Sequence, residues 1–161
     1  MNANRISRIN IDDSAIPPAS AMVIQERKVA IYDLLEENNF DLPGRDGQPA
    51  PTGPYALLLA IRDGRLVFDI STEGGEKVGE FHLSLGPFRQ VVKDYFQICA
   101  SYYDAVKTMP PAQIEAIDMA RRGIHNEGAR TLQERLEGKA EVDTYTARRL
   151  FTLICALIPQ G

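Results

Sequence analysis

The chain of 161 residues is poor in the side chains that build covalent or metal-held frameworks, with two cysteines, Cys99 and Cys155, and two histidines, His82 and His125. Both cysteines lie in apolar helical stretches far apart, no CxxC spacing occurs, and they are read as reduced, buried thiols rather than a disulfide or metal pair. Excess positive charge is missing as well. Eighteen Lys and Arg against 22 Asp and Glu give a net charge of -4, which argues against a surface that coats phosphate backbone, so no nucleic-acid partner is expected. The longest apolar run, residues 150–158, is broken by Thr152 and falls far short of the roughly 20 residues of a membrane span. Residues 1–18 hold no apolar targeting core, and Asp12 and Asp13 would spoil one. No membrane partner is expected, and a cytoplasmic location is. No phosphate-cradling glycine loop, GxSxG or HExxH occurs, so no cofactor, metal or catalytic residue is assigned.

What is present suits one domain spanning residues 1–161. Hydrophobic residues make up 44% and charged residues 25%. Area scaling for this length buries some ~69% of the unfolded surface, enough for a core without staples. Charge is uneven: residues 1–80 carry net -5 and residues 81–161 net +1, a contrast that suits self-association or a mixed-charge partner.

The strongest local signals are two turns. Asp63–Gly64 favours a type I′ hairpin, in which both central residues take positive φ. Pairing outward joins Ile61 to Leu66, Leu59 to Phe68 and Leu57 to Ile70 on one face. A second turn at Gly74–Gly75 pairs Phe68 with Phe81 and Leu66 with Leu83, which continues that face. Strands are therefore expected over 55–62, 65–72 and 77–84 as an antiparallel meander, with residues 5–11 weakly patterned as an edge strand ended by Pro17–Pro18. Residues 21–38 read as a helix with Ser20 as N-cap. Residues 41–54 hold four prolines and three glycines, offer nothing to a core, and with residues 1–4 are expected to be mobile.

From Gly86 the pattern is helical. Phe88, Val92, Tyr95, Cys99, Tyr102 and Val106 form a full seam after Pro87, making 87–107 the expected central helix over the sheet. Pro110–Pro111 starts a short helix to Arg122, which Gly123 closes with Ile124 reaching back to Met119. Residues 127–137 follow, capped by Asn126 and closed by Gly138. The last helix starts at Asp143 or Thr144 and ends at Pro159. Strands first and helices after give an α+β fold: a three- or four-stranded antiparallel meander covered on one face by a long central helix, with further helices mostly C-terminal.

The runs RLVFDI (65–70), LSLGPFRQVVKDYFQICASYYDAV (83–106), QIEAIDMARRGIHNEGARTLQERLEGK (113–139) and TARRLFTLICAL (146–157), with AIYDLLEEN (30–38), resemble the uncharacterised bacterial protein family numbered 0262. The resemblance spans nearly the whole chain and implies a small, soluble, single-domain bacterial protein. It carries no activity, and so no catalytic residue, to this sequence.

The densest polar group is Arg121, Arg122, His125, Asn126 and Arg130, with Glu127 among them. On the expected break at Gly123 it spans a helix end and the next helix start, where unpaired N–H groups could meet an anion gripped by guanidinium. The competing explanation is structural: arginine complements a helix C-terminus and Asn126 is a cap. Asp69, Glu80 and His82 share the outer sheet face and read as a solvated polar surface, the like-charged pair relieved by Lys77. Tyr95, Tyr102 and Tyr103 with Phe88 and Phe96 follow helical spacing and read as core rather than a base-stacking platform. The final helix is apolar on nearly every side, so it lies either mid-core or in a subunit interface. The leading expectation is a non-enzymatic interaction or regulatory protein that forms a homodimer. The alternative is a binder or enzyme for a small anionic phosphate or carboxylate metabolite at residues 121–130.

Overall fold

A computed structural model describes residues 3–16, 18–44 and 46–158, apart from the side chain of Met22. Pro17 and Pro159, expected to stop the first strand and last helix, lie outside those residues, as do Met1, Asn2 and Arg45 of the segments expected to be mobile. Among the described residues the chain runs β1 (Ile6–Asp12), α1 (Ala21–Glu36), β2 (Tyr55–Arg62), β3 (Arg65–Thr72), β4 (Lys77–Ser84), α2 (Gly86–Thr108), α3 (Pro111–Leu136) and α4 (Thr144–Leu157). The fold is α+β.

The β2–β3–β4 meander has the expected register, Leu59 opposite Phe68 opposite Phe81. Asp63 and Gly64 both take positive φ at the first turn, and Gly75 does so at the second. Tyr55, Leu57, Leu59, Leu66, Phe68, Ile70, Phe81 and Leu83 are all buried, and the Phe68 and Phe81 rings stack 4.8 Å apart. The sheet is mixed, however, not wholly antiparallel: β1 lies parallel to β2 on the edge, and α1 supplies the crossover that parallel strands require. A bulge between Ile6 and Arg8 explains the weak pattern of β1. Three residues separate Ile6 from Ile9, which a regular strand would send to opposite faces. The extra residue brings both into the core.

Buried Asn38 holds β1 to the end of α1. Its Nδ2 donates to the carbonyls of Ile6 (2.9 Å) and Leu34 (2.6 Å), and its Oδ1 accepts from the Ile6 N–H (2.7 Å). The segment 41–54 is not wholly outside the core as expected. Leu42 is buried, Asp41 bridges to Glu141, and the Gly53 N–H donates to Asn4 Oδ1.

The helical layer departs from expectation in two ways. First, α2 joins the core only through its first half, where Phe88, Val91 and Val92 are buried and Tyr95 and Phe96 pack against the core. Ala105, further on, is buried outside that cluster. The helix surrounded by the core is α4, with Leu150, Phe151, Leu153, Ile154, Cys155, Ala156 and Leu157 all buried within one chain. Second, α3 does not stop at Gly123. It runs unbroken through Ile124 and Asn126, so there is no helix elbow, no cap at Asn126 and no contact holding Met119, which is exposed. The local stop signal is overridden because Ile124 and His125 pack against the core and α4. The expected ends do hold at Ser20, Asp143 and Gly138.

Close approach of α3 to α4 depends on Gly128. A Cβ there would meet the Phe151 ring at 2.2 Å, whereas one at Gly123 would meet nothing within 4 Å. Two opposite outcomes follow for one chemical change. Gly128→Ala is expected to destabilise by about 1–3 kcal/mol through overpacking. Gly123→Ala is expected to stabilise by about 0.5–1 kcal/mol through helix propensity alone. Urea unfolding of both variants checks this, and a destabilised Gly123→Ala would contradict the continuous helix.

Candidate functional site

The residues expected to form an anion site are on one continuous helix, so the free backbone donors of the site are not there. Residues 121–130 carry intrahelical hydrogen bonding, and what remains is a side-chain cluster between α2, α3 and α4. Arg121 donates from Nε to Asp118 Oδ1 (3.1 Å) and lies over the Tyr102 ring of α2, 4.5 Å from its centroid. Arg122 reaches the other oxygen of Asp118 at 2.9 Å. Those two guanidiniums, led by Arg121, hold the Asp118 carboxyl below the usual aspartate range. An anion at these arginines would have to displace a carboxylate already shared by both. Asn126 and Arg130 are exposed one and two turns further on and do not converge on Arg121.

His125 faces inward from the same helix. Its ring lies 5.5 Å from Tyr95 of α2 and 5.6 Å from Phe151 of α4. Its Nε2 is 2.8 Å from Thr152 Oγ1, and its Nδ1 is 3.4 Å from Arg148 Nε. The Thr152 hydroxyl donates to the Arg148 carbonyl one turn back. Its single proton is thereby used, so Nε2–H of the imidazole must donate to it, and the Nδ1 lone pair turns to the Arg148 guanidinium. Protonation would place an N–H against an N–H. Burial first, then Arg148, Arg149 and Arg121, push the pKa of His125 down to about 4. The imidazole is therefore neutral at pH 7, with both nitrogens occupied by the protein itself. The same pocketing pushes the Tyr95 phenol well up, mainly by burial and then by the Cys99 thiol beside it.

The aromatic residues divide rather than pack together. Phe88 is buried, Tyr95, Phe96 and Tyr102 are half-buried, and Tyr103 faces solvent. Cys155 is buried and Cys99 half-buried, both as free thiols. On the outer sheet face Lys77 lies 2.6 Å from Glu80 and 3.8 Å from Asp69, and His82 lies 3.0 Å from Glu80. That is the relief of like charge expected for this cross-strand pair.

Beyond Phe96 in α2 and before Ile124 in α3, Ala105 is the one buried residue among those described. The distal α2–α3 hairpin, about 18 Å long at 1.5 Å per residue, thus rests on its own seam rather than on the core. Its outer surface carries Tyr103 (52% exposed), Val106 (52%), Met109 (42%) and Met119 (65%). Of the two alternatives for the last helix, mid-core or subunit interface, the structure shows the first. Tyr102, Tyr103 and Val106 sitting on adjacent helix positions, too broad for one seam, was the available signal that α2 has apolar residues on more than its packed side.

The fold is thus α+β, with a four-stranded mixed sheet, a last helix mostly buried in the core and a two-helix arm. The family model described as "Uncharacterised protein family (UPF0262)" matches residues 3–160, and the chain belongs to that family. It is 77% identical over 158 residues to a UPF0262 protein of Paracoccus denitrificans, covering 98% of each chain. It is 72% identical over 157 residues to one of Ruegeria pomeroyi, again covering 98% of each. A relative from Roseobacter denitrificans is 71% identical over 154 residues, 96% of this chain and 97% of that one. No solved structure matches.

His125 yields a pH test. Its folded pKa lies below the unfolded value, so the unfolded chain binds the extra proton between about pH 6.5 and 4. Its contribution is fully present above pH 6.5 and is lost as pH falls toward 4. After allowing for its partial exposure, about 1–2 kcal/mol is expected. The difference in unfolding free energy between wild type and His125→Gln, measured from pH 8 to 4, should shrink across that window. A constant difference would contradict a buried neutral imidazole.

Proposed function

We propose that this protein is a small, non-catalytic interaction or regulatory protein of the cytoplasm that forms a homodimer through the distal α2–α3 arm. The observation that carries the reading is the apolar outer surface of that arm, Tyr103, Val106, Met109 and Met119, on a segment that the chain's own core does not cover. A second copy is the fitting occupant on charge grounds. Residues 97–123 hold three basic and three acidic side chains, although the whole chain carries -4, so two arms can meet without the repulsion the rest of the surface would bring. Two helices from each copy would bury these residues together, as in a helix bundle.

A non-catalytic role is supported by the state of His125, the one histidine near the arginine cluster, whose nitrogens face Thr152 and Arg148 and are not offered to a substrate. Location in the cytoplasm is supported by two free thiols and by helices none of which, among the described residues, is long and apolar enough to cross a membrane. A small anion at Arg121 and Arg122 is the weaker reading, since Asp118 already engages both.

Sedimentation equilibrium at tens of micromolar is expected to give twice the chain mass. The double variant Val106→Glu, Met119→Glu should sediment as a monomer with an unchanged far-ultraviolet spectrum, because both positions are exposed in the single chain. A wild-type monomer at that concentration, or a variant that still dimerises, would overturn the arm as the interface.

A further inference from the structure

A cleft of about 710 Å³ opens where the β2–β3 turn, the first half of α2 and the end of α4 meet. Its floor and walls are Ile61, Leu85, Val92, Phe96 and Ile158, all buried except half-buried Phe96. Two exposed cations, Arg89 and Lys93, stand on its rim. They are four residues apart on α2, hence side by side on one helix face, where like charges repel. Among the described residues neither has an ion-pair partner. The first turn of α2 holds no acidic residue, so positive charge at Arg89 also opposes the helix dipole.

In a chain of net charge -4, two adjacent unpaired cations over an apolar hollow are a local arrangement that weakens the free protein and suits a particular visitor. Two smaller hollows lack the combination. One of about 440 Å³ beside Gly138 is lined by Asp41, Glu137 and Glu141 as well as Lys139. One of about 410 Å³ at the end of α4 has a single cation, Arg27, whose Nη2 already donates to the Ala156 carbonyl (3.3 Å).

We propose that the cleft between the β2–β3 turn, α2 and α4 binds a small amphipathic anion: one carboxylate head on an aliphatic chain of medium length. The volume falls within the roughly 300–1,000 Å³ of small-molecule sites, which are mostly apolar with a few polar groups that fix orientation. The guanidinium of Arg89 can take a carboxylate through two parallel N–H donors, and Lys93 adds a point charge beside it. The floor offers aliphatic carbons and one aromatic ring, which suit a hydrocarbon chain better than a sugar or a polar base. The cleft reaches Gln97 and Ala100 at the start of the arm but includes none of Tyr103, Val106, Met109 and Met119, so it does not depend on dimerisation.

Isothermal titration of the full chain with decanoate below its micelle concentration tests this, with decyltrimethylammonium and butyrate as comparison probes. Decanoate is expected to bind one per chain, and the other two to give no saturable heat. The double variant Arg89→Gln, Lys93→Gln should weaken decanoate binding by about tenfold or more while its melting temperature without ligand rises slightly, since a repulsive pair has gone. Ala100→Trp, on the exposed rim, should block decanoate by filling the cleft and leave the far-ultraviolet spectrum unchanged. Equal binding of decanoate and decyltrimethylammonium, unchanged decanoate affinity in the charge variant, or no saturable decanoate heat would each overturn the assignment.

Discussion

The architecture follows from one constraint, that the second half of α4, from Leu150 to Leu157, is apolar on nearly every side, with half-buried Thr152 as its one polar hydroxyl, and must be covered by more than one neighbour. Leu150, Phe151, Leu153, Ile154, Leu157 and Ile158 are buried, and each such side chain removed from water is worth about 1.5–3 kcal/mol before entropy is counted. No single neighbour can cover such a helix. α1 and α3 flank it, and the inner face of the sheet belongs to the same core. Its ends are tied as well: Asp143 caps the first turn, buried Thr146 accepts from the Asn39 N–H, and Arg27 of α1 reaches the Ala156 carbonyl at the far end. Gly128 is where α3 yields space to the Phe151 ring. A backbone without Cβ at that position is the condition for three layers to close around one helix.

What could be read from the sequence was what local chemistry decides. The two hairpin turns need particular backbone angles at particular residues, and the alternation on either side then leaves one register, so the buried β2–β4 face was legible, whereas the β3 bulge between Ile70 and Ser71 was not. Ser20, Asp143 and Gly138 are likewise decided by their immediate neighbours. The parallel pairing of β1 was not legible, because its partner β2 lies some forty residues away and its bulge scrambles the alternation that would have marked it. Nor was the fate of Gly123. A glycine followed by an apolar residue satisfies the local condition for a helix stop, and only the contacts of Ile124 with the core and His125 with α4 make continuation the lower-energy course.

The candidate site shows the same division. Arg121, Arg122 and His125, expected across a joint between two helices, lie on one continuous helix, and a cluster in sequence does not say which way each side chain turns. Asp118, three and four residues before the arginines, takes both guanidiniums. Arg148 and Thr152, from a different helix, occupy both nitrogens of His125. An imidazole with a depressed pKa near arginines resembles a tuned catalytic base when only its titration is considered. Its hydrogen bonds decide otherwise, for a general base must offer a lone pair to something that can leave with a proton, and here the lone pair faces a guanidinium.

Of the large apolar side chains left exposed among the described residues, Tyr103, Val106, Met109 and Met119 lie on the α2–α3 arm and the rest on α1 and α4, and charge separates the arm from the root of α2. Along the arm, residues 97–123, acidic and basic side chains are equal in number and apolar groups lie among them, a composition that matches itself and so suits another protein surface. At the root of the helix, Arg89 and Lys93 are neighbours of one sign without partners among the described residues, over a floor of aliphatic side chains. That composition does not match itself: two copies would bring four cations together. The same physical rule, that buried charge must find its opposite, therefore assigns the arm to a like partner and the root to an unlike one. Both regions draw on α2, whose first turns, at Phe88, Val91 and Val92, are anchored in the core.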